Sequence, residues 1–150
     1  MYFRLAKKED VPEIVRMLSD DVLGSQREKY ENPLPNVYYE AFEEIEKQAG
    51  NQILLAIEGE KIVGFLQLTI IPGLARLGMK RAQIEGVRVD RHFRGQGIGE
   101  ALFKEAITIS KDSGCGLVQL TTDKQRKDSH RFYEKLGFTA THDGMKLIFS

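Results

Sequence analysis

The residues best suited to chemistry stand together at Arg94-Gly95-Gln96-Gly97-Ile98-Gly99, three glycines in five positions between a strand-like run and a helical one. A helix N-terminus exposes unpaired N–H groups and about half a positive charge. Glycine lets a phosphate approach that backbone with no Cβ in the way, so the chemistry on offer is pyrophosphate binding. Glu100 stands where the Gly-Lys-Ser/Thr of a Walker A loop would begin, and the third glycine comes one residue early for a G-x-G-x-x-G fingerprint. Neither of those readings survives. On spacing alone, a simple glycine-rich turn remains the other possibility. Cys115 is the single cysteine and the three histidines are scattered, which leaves no internal disulfide and no metal-ligand cluster.

The elements that must position this turn follow from periodicity. Tyr2 to Leu5 reads as a strand. It leads into a helix on Val11, Ile14, Val15 and Leu18, with Pro12 in the first turn and capping-box spacing between Asp10 and Glu13. Gly24 to Asn36 reads as a loop, followed by a second helix on Tyr38, Ala41, Phe42 and Ile45 that Gly50 ends. Ile53 to Ile57 and Ile62 to Ile71 are strands joined across Glu58-Gly59-Glu60-Lys61, and Ala82 to Val89 is another. A helix begins beyond the glycine turn with Ile98, Leu102, Ala106 and Ile109 on one face, and Gly114 and Gly116 bracket its end before a strand at Leu117 to Thr121. The spacing then predicts a helix around Ser129 to Leu136, stopped by Gly137, and a hairpin of Phe138 to Thr141 with Met145 to Phe149 across Asp143-Gly144. The pattern is a single α/β domain over residues 1–150, with about four helices and a largely antiparallel sheet.

Composition narrows the partners. The chain is neutral overall, with 22 basic and 22 acidic residues, yet residues 1–75 hold eight basic against thirteen acidic and the remainder is basic by the same margin. Zero net charge argues against generic nucleic-acid binding, while a basic C-terminal half suits a small polyanion such as a nucleotide. The longest apolar run, Ile53 to Ile57, is far below the roughly 18 residues of a membrane span. With a charged N-terminal segment and no secretory pattern, the expectation is a cytoplasmic, metal-free protein without a membrane partner.

Arg94-x-x-Gly97-x-Gly99 resembles the Q/R-x-x-G-x-G/A signature of the GNAT superfamily of N-acetyltransferases, and Ile84-Glu85-Gly86-Val87-Arg88-Val89 resembles the strand before it. Phe132-Tyr133-Glu134-Lys135-Leu136-Gly137-Phe138 is similar to the family's F-Y-E-K-L-G-F segment, and Arg4-Leu5-Ala6 followed by Asp10 and a helix resembles its opening. The resemblance implies a mixed sheet splayed around an acetyl-CoA cleft between residues 82–90 and 117–121. By similarity, the backbone of Arg94, Gly95, Gln96, Gly97, Ile98 and Gly99 would hold the pyrophosphate, and Val87 and Val89 would pair with pantetheine amides. Where many members carry Asn to touch the cofactor arm, Arg126 stands here, and Ser129 occupies a position where Ala is common; a guanidinium at Arg126 can reach a phosphate.

Acyl transfer to an amine sets its own requirements. A lysine-like amine with a pKa near ~10.4 is almost wholly protonated at pH 7, so a base must take protons. Glu85 on the central strand is the candidate, with Gly86 marking a β-bulge beside it. The alternative for Glu85 is a salt bridge with Arg88 or Arg81. The N–H of Val87 is the family-implied oxyanion donor, and Tyr133 resembles the family's general acid, its alternative being aromatic packing. Cys115 reads as a small buried hydrophobe and His130 as a helix-face residue. Glu28, Glu31, Glu40, Glu43 and Glu44 suggest a cationic amine acceptor, and family habit implies a homodimer. Two readings from other classes stay open: a catalytically silent acyl-CoA-binding module and an interaction protein without acyl-CoA.

Overall fold

The computed structural model describes the backbone of all 150 residues and every side chain except that of Lys127. Five strands form one sheet in chain order: β1 (Tyr2–Leu5), β2 (Asn51–Glu58), β3 (Lys61–Ile71), β4 (Lys80–Val89) and β5 (Cys115–Leu120). The first three pairings are antiparallel and β4–β5 is parallel, which is the mixed, mostly antiparallel sheet expected. The four expected helices are α1 (Val11–Leu18), α3 (Asn36–Lys47), α5 (Ile98–Asp112) and α6 (Lys127–Lys135); a short α2 (Val22–Arg27) and a single turn, α4 (Ala75–Gly78), are added.

The apolar run Ile53 to Ile57 is continuous because β2 is covered on both faces. Leu54 and Ala56 join Leu102, Phe103 and Ala106 of α5, whereas Leu55 and Ile57 join Ile14 and Met17 of α1. Phe42 of α3 closes over Val11 and Val15. On the α5 side Phe103 is fully buried and meets the rings of Phe132, Tyr133 and Phe138 at centroid distances of 5.6, 5.5 and 5.9 Å, which seats α6 against α5. The close approach of α5 to the sheet depends on Gly64. A Cβ there would lie 2.9 Å from Leu102 Cδ1 and 3.1 Å from the Arg88 carbonyl oxygen.

Three local expectations are corrected. Asp10 does not form a capping box with Glu13. Residues Lys8–Asp10 make a 3₁₀ turn, so the Asp10 carboxylate accepts from the Lys7 N–H at 2.7 Å and from Arg4 at 2.8 and 2.9 Å, while Glu13 pairs with Arg16. The segment from Gly24 is not all loop, because Asp21 caps α2 by accepting the Gly24 N–H at 2.5 Å. The C-terminal hairpin is absent: Phe138 packs on the core, but Phe138–Thr141 and Met145–Phe149 form no ladder. A two-stranded hairpin is marginal without a third strand or an apolar face to lie on, and β5 pairs with β4 alone. Among the described residues no helix is long and apolar enough to cross a membrane.

Candidate active site

The site begins where two strands part. The parallel ladder runs from Lys80↔Cys115 to Ile84↔Leu120 and stops, whereas β4 stays paired with β3 as far as Gly64↔Val89. Residues 85–89 therefore face a gap on the β5 side. The departure coincides with a bulge: from Gln67↔Glu85 to Phe65↔Arg88, β4 advances three residues while β3 advances two. Gly86 takes φ 64° there, a left-handed conformation glycine adopts without strain. The Asp90 N–H donates to Val63 O at 2.8 Å, so by antiparallel alternation Arg88 bonds β3 opposite Phe65. Val89 then turns its backbone groups toward the gap, and Val87, inside the bulge, has no partner on β3. The Val87 and Val89 carbonyls accept from guanidinium groups, Val87 O from Arg88 Nη1 at 2.8 Å and Val89 O from Arg94 Nε at 3.3 Å.

Beyond β4 the chain is pinned before it coils. Asp90 accepts the His92 N–H at 2.9 Å and Arg16 Nη2 at 2.5 Å. Burial alone would raise this carboxyl, but the His92 N–H and the Arg16 guanidinium outweigh it and hold it below the usual range. Gly95 and Gly97 follow with φ 78° and 79°; a Cβ at either would meet nothing within 4 Å, so the demand for glycine there is conformational. Gly97 is the N-cap of α5 and supplies no side-chain cap. The first bond from the helix back to it is Ala101 N–H to Gly97 O at 3.0 Å, so the N–H groups of Ile98, Gly99 and Glu100 open onto the turn. A Cβ on Gly99 would stand 3.4 Å from Phe132 and 3.6 Å from Val89, which is how α5 starts this close to β4 and α6.

A cleft of about 380 Å³ lies beside these groups. It brings together Val87, Val89, Arg94, Arg126 and Ser129 of the expected residues, and adds Asp21, Arg88, Gln125 and Asp128. Glu85 is exposed and, among the described residues, makes no ion pair, so the salt bridge weighed for it is not formed. Tyr133 is half-buried. Its burial pushes the phenol up, and the nearby Arg88 and Arg126 offset this only in part. The Arg126 guanidinium pairs with Asp21. Burial tends to raise the Asp21 carboxyl, yet the Gly24 N–H and Arg126 hold it below the ordinary carboxylate value. With Arg27–Asp123 at 2.8 Å, that pair ties α2 to the segment leaving β5. His130 pairs with Glu134 on the exposed face of α6, and Cys115 is half-buried against the core. A slightly larger hollow, about 440 Å³ between Arg16, Glu60, Lys61 and Asp90, contains none of the expected site residues.

Arg88 is the residue sequence reasoning passed over. Burial, and next the neighbouring Arg126, lower its pKa, and its Nε is buried without a partner. The signal was available: a guanidinium alternates with Val87 and Val89 on a strand whose neighbours are core. The five acids proposed to attract a cation lie outside the lining of the cleft. Glu28 accepts from Tyr38 Oη at 2.9 Å, Glu31 faces Lys29, Glu40 accepts from Asn36 at 2.8 Å, and Glu43 and Glu44 are exposed on α3.

Comparison with known proteins gives this geometry a context. The profile of the Acetyltransferase (GNAT) family matches residues 19–138. The chain is 41% identical over 87 residues to glucosamine 6-phosphate N-acetyltransferase of Trypanosoma brucei brucei, covering 58% of this chain and 57% of that protein. It is 28% identical over 137 residues to human N-alpha-acetyltransferase 30, covering 91% of this chain and 34% of that one. The chain thus spans well under two thirds of the length of these curated relatives. Among solved structures, one described as a transcriptional regulator from Bacillus halodurans C-125 superposes with a TM-score of 0.96 at 53% identity, with 99% of each chain covered. A putative acetyltransferase from Agrobacterium tumefaciens str. C58 gives 0.87 at 27% identity, covering 99% of this chain and 100% of that one.

Proposed function

Because the chain belongs to the acetyltransferase (GNAT) family, we propose that it moves an acetyl group from acetyl-CoA to a primary amine by direct attack in a ternary complex. The observation that carries this is the parting of β4 from β5 beside an uncapped helix N-terminus. It sets a cleft lined by Val87, Val89, Arg94 and Arg126 next to a helix N-terminus that begins four residues after Arg94, an arrangement suited to an amide-bearing arm that ends in a diphosphate. Acetyl-CoA supplies the acyl group already activated as a thioester. In this reading the N–H groups of the turn from Arg94 to Gly99 hold the diphosphate, and Val87 and Val89 bond the arm. Arg126 and Ser129 border it, with Arg126 drawn between Asp21 and a phosphate. Glu85, exposed and unpaired, is free to take the ammonium proton, the Val87 N–H donates to the acyl oxygen, and Tyr133, kept protonated by burial, delivers a proton to the departing sulfur.

The acceptor reading changes with the structure. None of the five acids that would attract a cation lines the cleft. The Arg88 guanidinium, a cation bordering the cleft, favours an amine that also carries a phosphate or carboxylate, and a relative named for an amino sugar phosphate is consistent with that. A homodimer is part of the same proposal. The test is CoA release against a panel of amines with Glu85→Gln and Tyr133→Phe, alongside calorimetry for acetyl-CoA. Losses of ~10²- to 10⁴-fold in kcat/KM with binding intact support the mechanism; wild-type rates in both variants would remove Glu85 and Tyr133 from it, and acetyl-CoA binding without CoA release to any amine would leave a silent acyl-CoA-binding module instead.

A further inference from the structure

We propose that Gln67, Gln83 and Gln119 select the acceptor: they form a row of amides on the sheet face that carries Glu85, and the row binds hydroxyl groups on the carbons that follow the reacting amine. The inference rests on the acyl-transfer reading with Glu85 as base, and extends it from the reacting nitrogen to the rest of the acceptor. Alternation on three adjacent strands builds the row. Leu66, Leu68, Ala82, Ile84, Val118 and Leu120 belong to the core beneath α5, so Gln67, Gln83, Glu85 and Gln119, which alternate with them, share the opposite face. The register sets these side by side, Gln67 opposite Glu85, Thr69 opposite Gln83 and Gln83 opposite Gln119. The apolar clusters that α1 and α3 build on this face end at Ile53 and Phe65.

β3 and β4 are interior strands, where a face packed by helices would be apolar. The amides there are half-buried and only partly paired. Gln119 Nε2 donates to Gln83 Oε1 at 3.0 Å. Gln67 Nε2 donates to Asn51 Oδ1 at 2.9 Å, and the same oxygen accepts from Thr69 Oγ1 at 3.4 Å. These bonds fix the amides in place. Among the described residues the Gln83 N–H groups and the Oε1 atoms of Gln67 and Gln119 have no partner. The row therefore offers donors and acceptors in turn and carries no charge. A hydroxyl both donates and accepts, so it matches such a row, whereas an ammonium or a carboxylate can use only half of it; the anionic group of the acceptor belongs at Arg88, beyond the bulge. Spacing sets the reach. Directly opposite residues on antiparallel strands stand about 5 Å apart, and residues two apart on one strand about 7 Å. With the amine at Glu85, Gln67 and Gln83 meet hydroxyls roughly two to five bonds away, and Gln119 continues the row onto β5.

The test is CoA release by the full chain from acetyl-CoA to glucamine, a linear amine with a hydroxyl on every carbon except the one bearing nitrogen, and to hexylamine, the same chain without hydroxyls. Neither carries an anion, so Arg88 affects both alike, and rates are referred to the neutral amine so that basicity cancels. Wild type should favour glucamine by about tenfold or more in kcat/KM. The double variant Gln83→Leu/Gln119→Leu should lose that preference, the loss falling on glucamine while KM for acetyl-CoA holds. Equal use of both amines by wild type, or a double variant that keeps the preference, would overturn the proposal. Should the double variant fail to fold, Gln67→Leu carries the same comparison. Absence of CoA release to any amine would count against the acyl-transfer reading, and the row is then decided by binding. In a titration of ¹⁵N-labelled chain, glucamine should shift the side-chain N–H signals of Gln67, Gln83 and Gln119 and hexylamine should leave them in place; signals that ignore both amines would overturn the row as well.

Discussion

Replacing Gly97 by alanine separates the glycine turn's conformational demand from its ligand demand. At φ 79° an alanine is left-handed, which costs roughly 1–2 kcal/mol, and since its Cβ meets nothing within 4 Å no steric penalty adds to this in the free protein. For a chain of this length that is a fall in Tm of about 2–8 °C. Gly59, in the β2–β3 turn, has φ 63° and equally open space, so Gly59→Ala should cost the same in stability and nothing in ligand binding. The two variants diverge only if a diphosphate approaches the Gly97 backbone. There the new methyl group would stand in its path and forfeit one or two charge-assisted hydrogen bonds, about 1.5–3 kcal/mol, weakening CoA by one to two decades. Calorimetric titration with CoA, with Tm measured on the same samples, reads both quantities. Equal CoA affinity in Gly97→Ala and Gly59→Ala would refute the phosphate cradle, because the local strain would then be present without a ligand effect.

Arg88→Gln should raise KM for amines bearing a phosphate or carboxylate by at least about tenfold while leaving KM for acetyl-CoA unchanged; a loss confined to acetyl-CoA would put the guanidinium on the donor instead. Asp90→Ala should cost about 1.5–3 kcal/mol at pH 7, a fall of roughly 3–12 °C in Tm. Because the folded carboxyl sits below its unfolded value, its contribution is complete above the usual carboxylate range and disappears as pH falls through the folded pKa. Calorimetry should therefore show wild type and variant converging in acid; a gap that persists there would make packing, not charge, the source. Leu102→Ala, at a position with no exposure, should cost about 3–5 kcal/mol by leaving a cavity, measured by urea denaturation; a loss under about 1 kcal/mol would mean that α5 collapses onto the sheet.

What could be read in advance divides by the range of the forces involved. The glycine turn was legible because its requirement is local: residues 95 and 97 need a left-handed backbone, and the helix that follows announces itself by Leu102 and Ala106. The bulge at Gly86 was legible for the same reason. Asp10 misled because its carboxylate had two suitors, a helix N-terminus three residues on and the Arg4 guanidinium across the chain entry, and the charged partner prevailed. The C-terminal hairpin misled because alternation at Met145, Leu147 and Phe149 states that a strand is wanted without stating which edge it joins.

Arg88 shows why the substrate side resisted reading when the cofactor side did not. A diphosphate bound by backbone N–H groups leaves its mark in sequence as glycine, since the binding atoms demand a particular backbone path. An acceptor is met by side chains whose setting exists only after the fold is complete. Arg88 borders a cleft because β4 and β5 separate after Ile84 and Leu120 and because α2 is drawn in by Asp21–Arg126 and Arg27–Asp123. No local pattern encodes a gap between strands about 30 residues apart in sequence, and a charged residue on a strand reads equally as solvated surface. The same separation that opens the gap beside Val87 and Val89 places a guanidinium next to them, so in the proposed reading donor and acceptor recognition have one structural origin, the extra residue at Gly86. Removing that bulge should shift both KM values together, which no single side-chain substitution in the cleft would do.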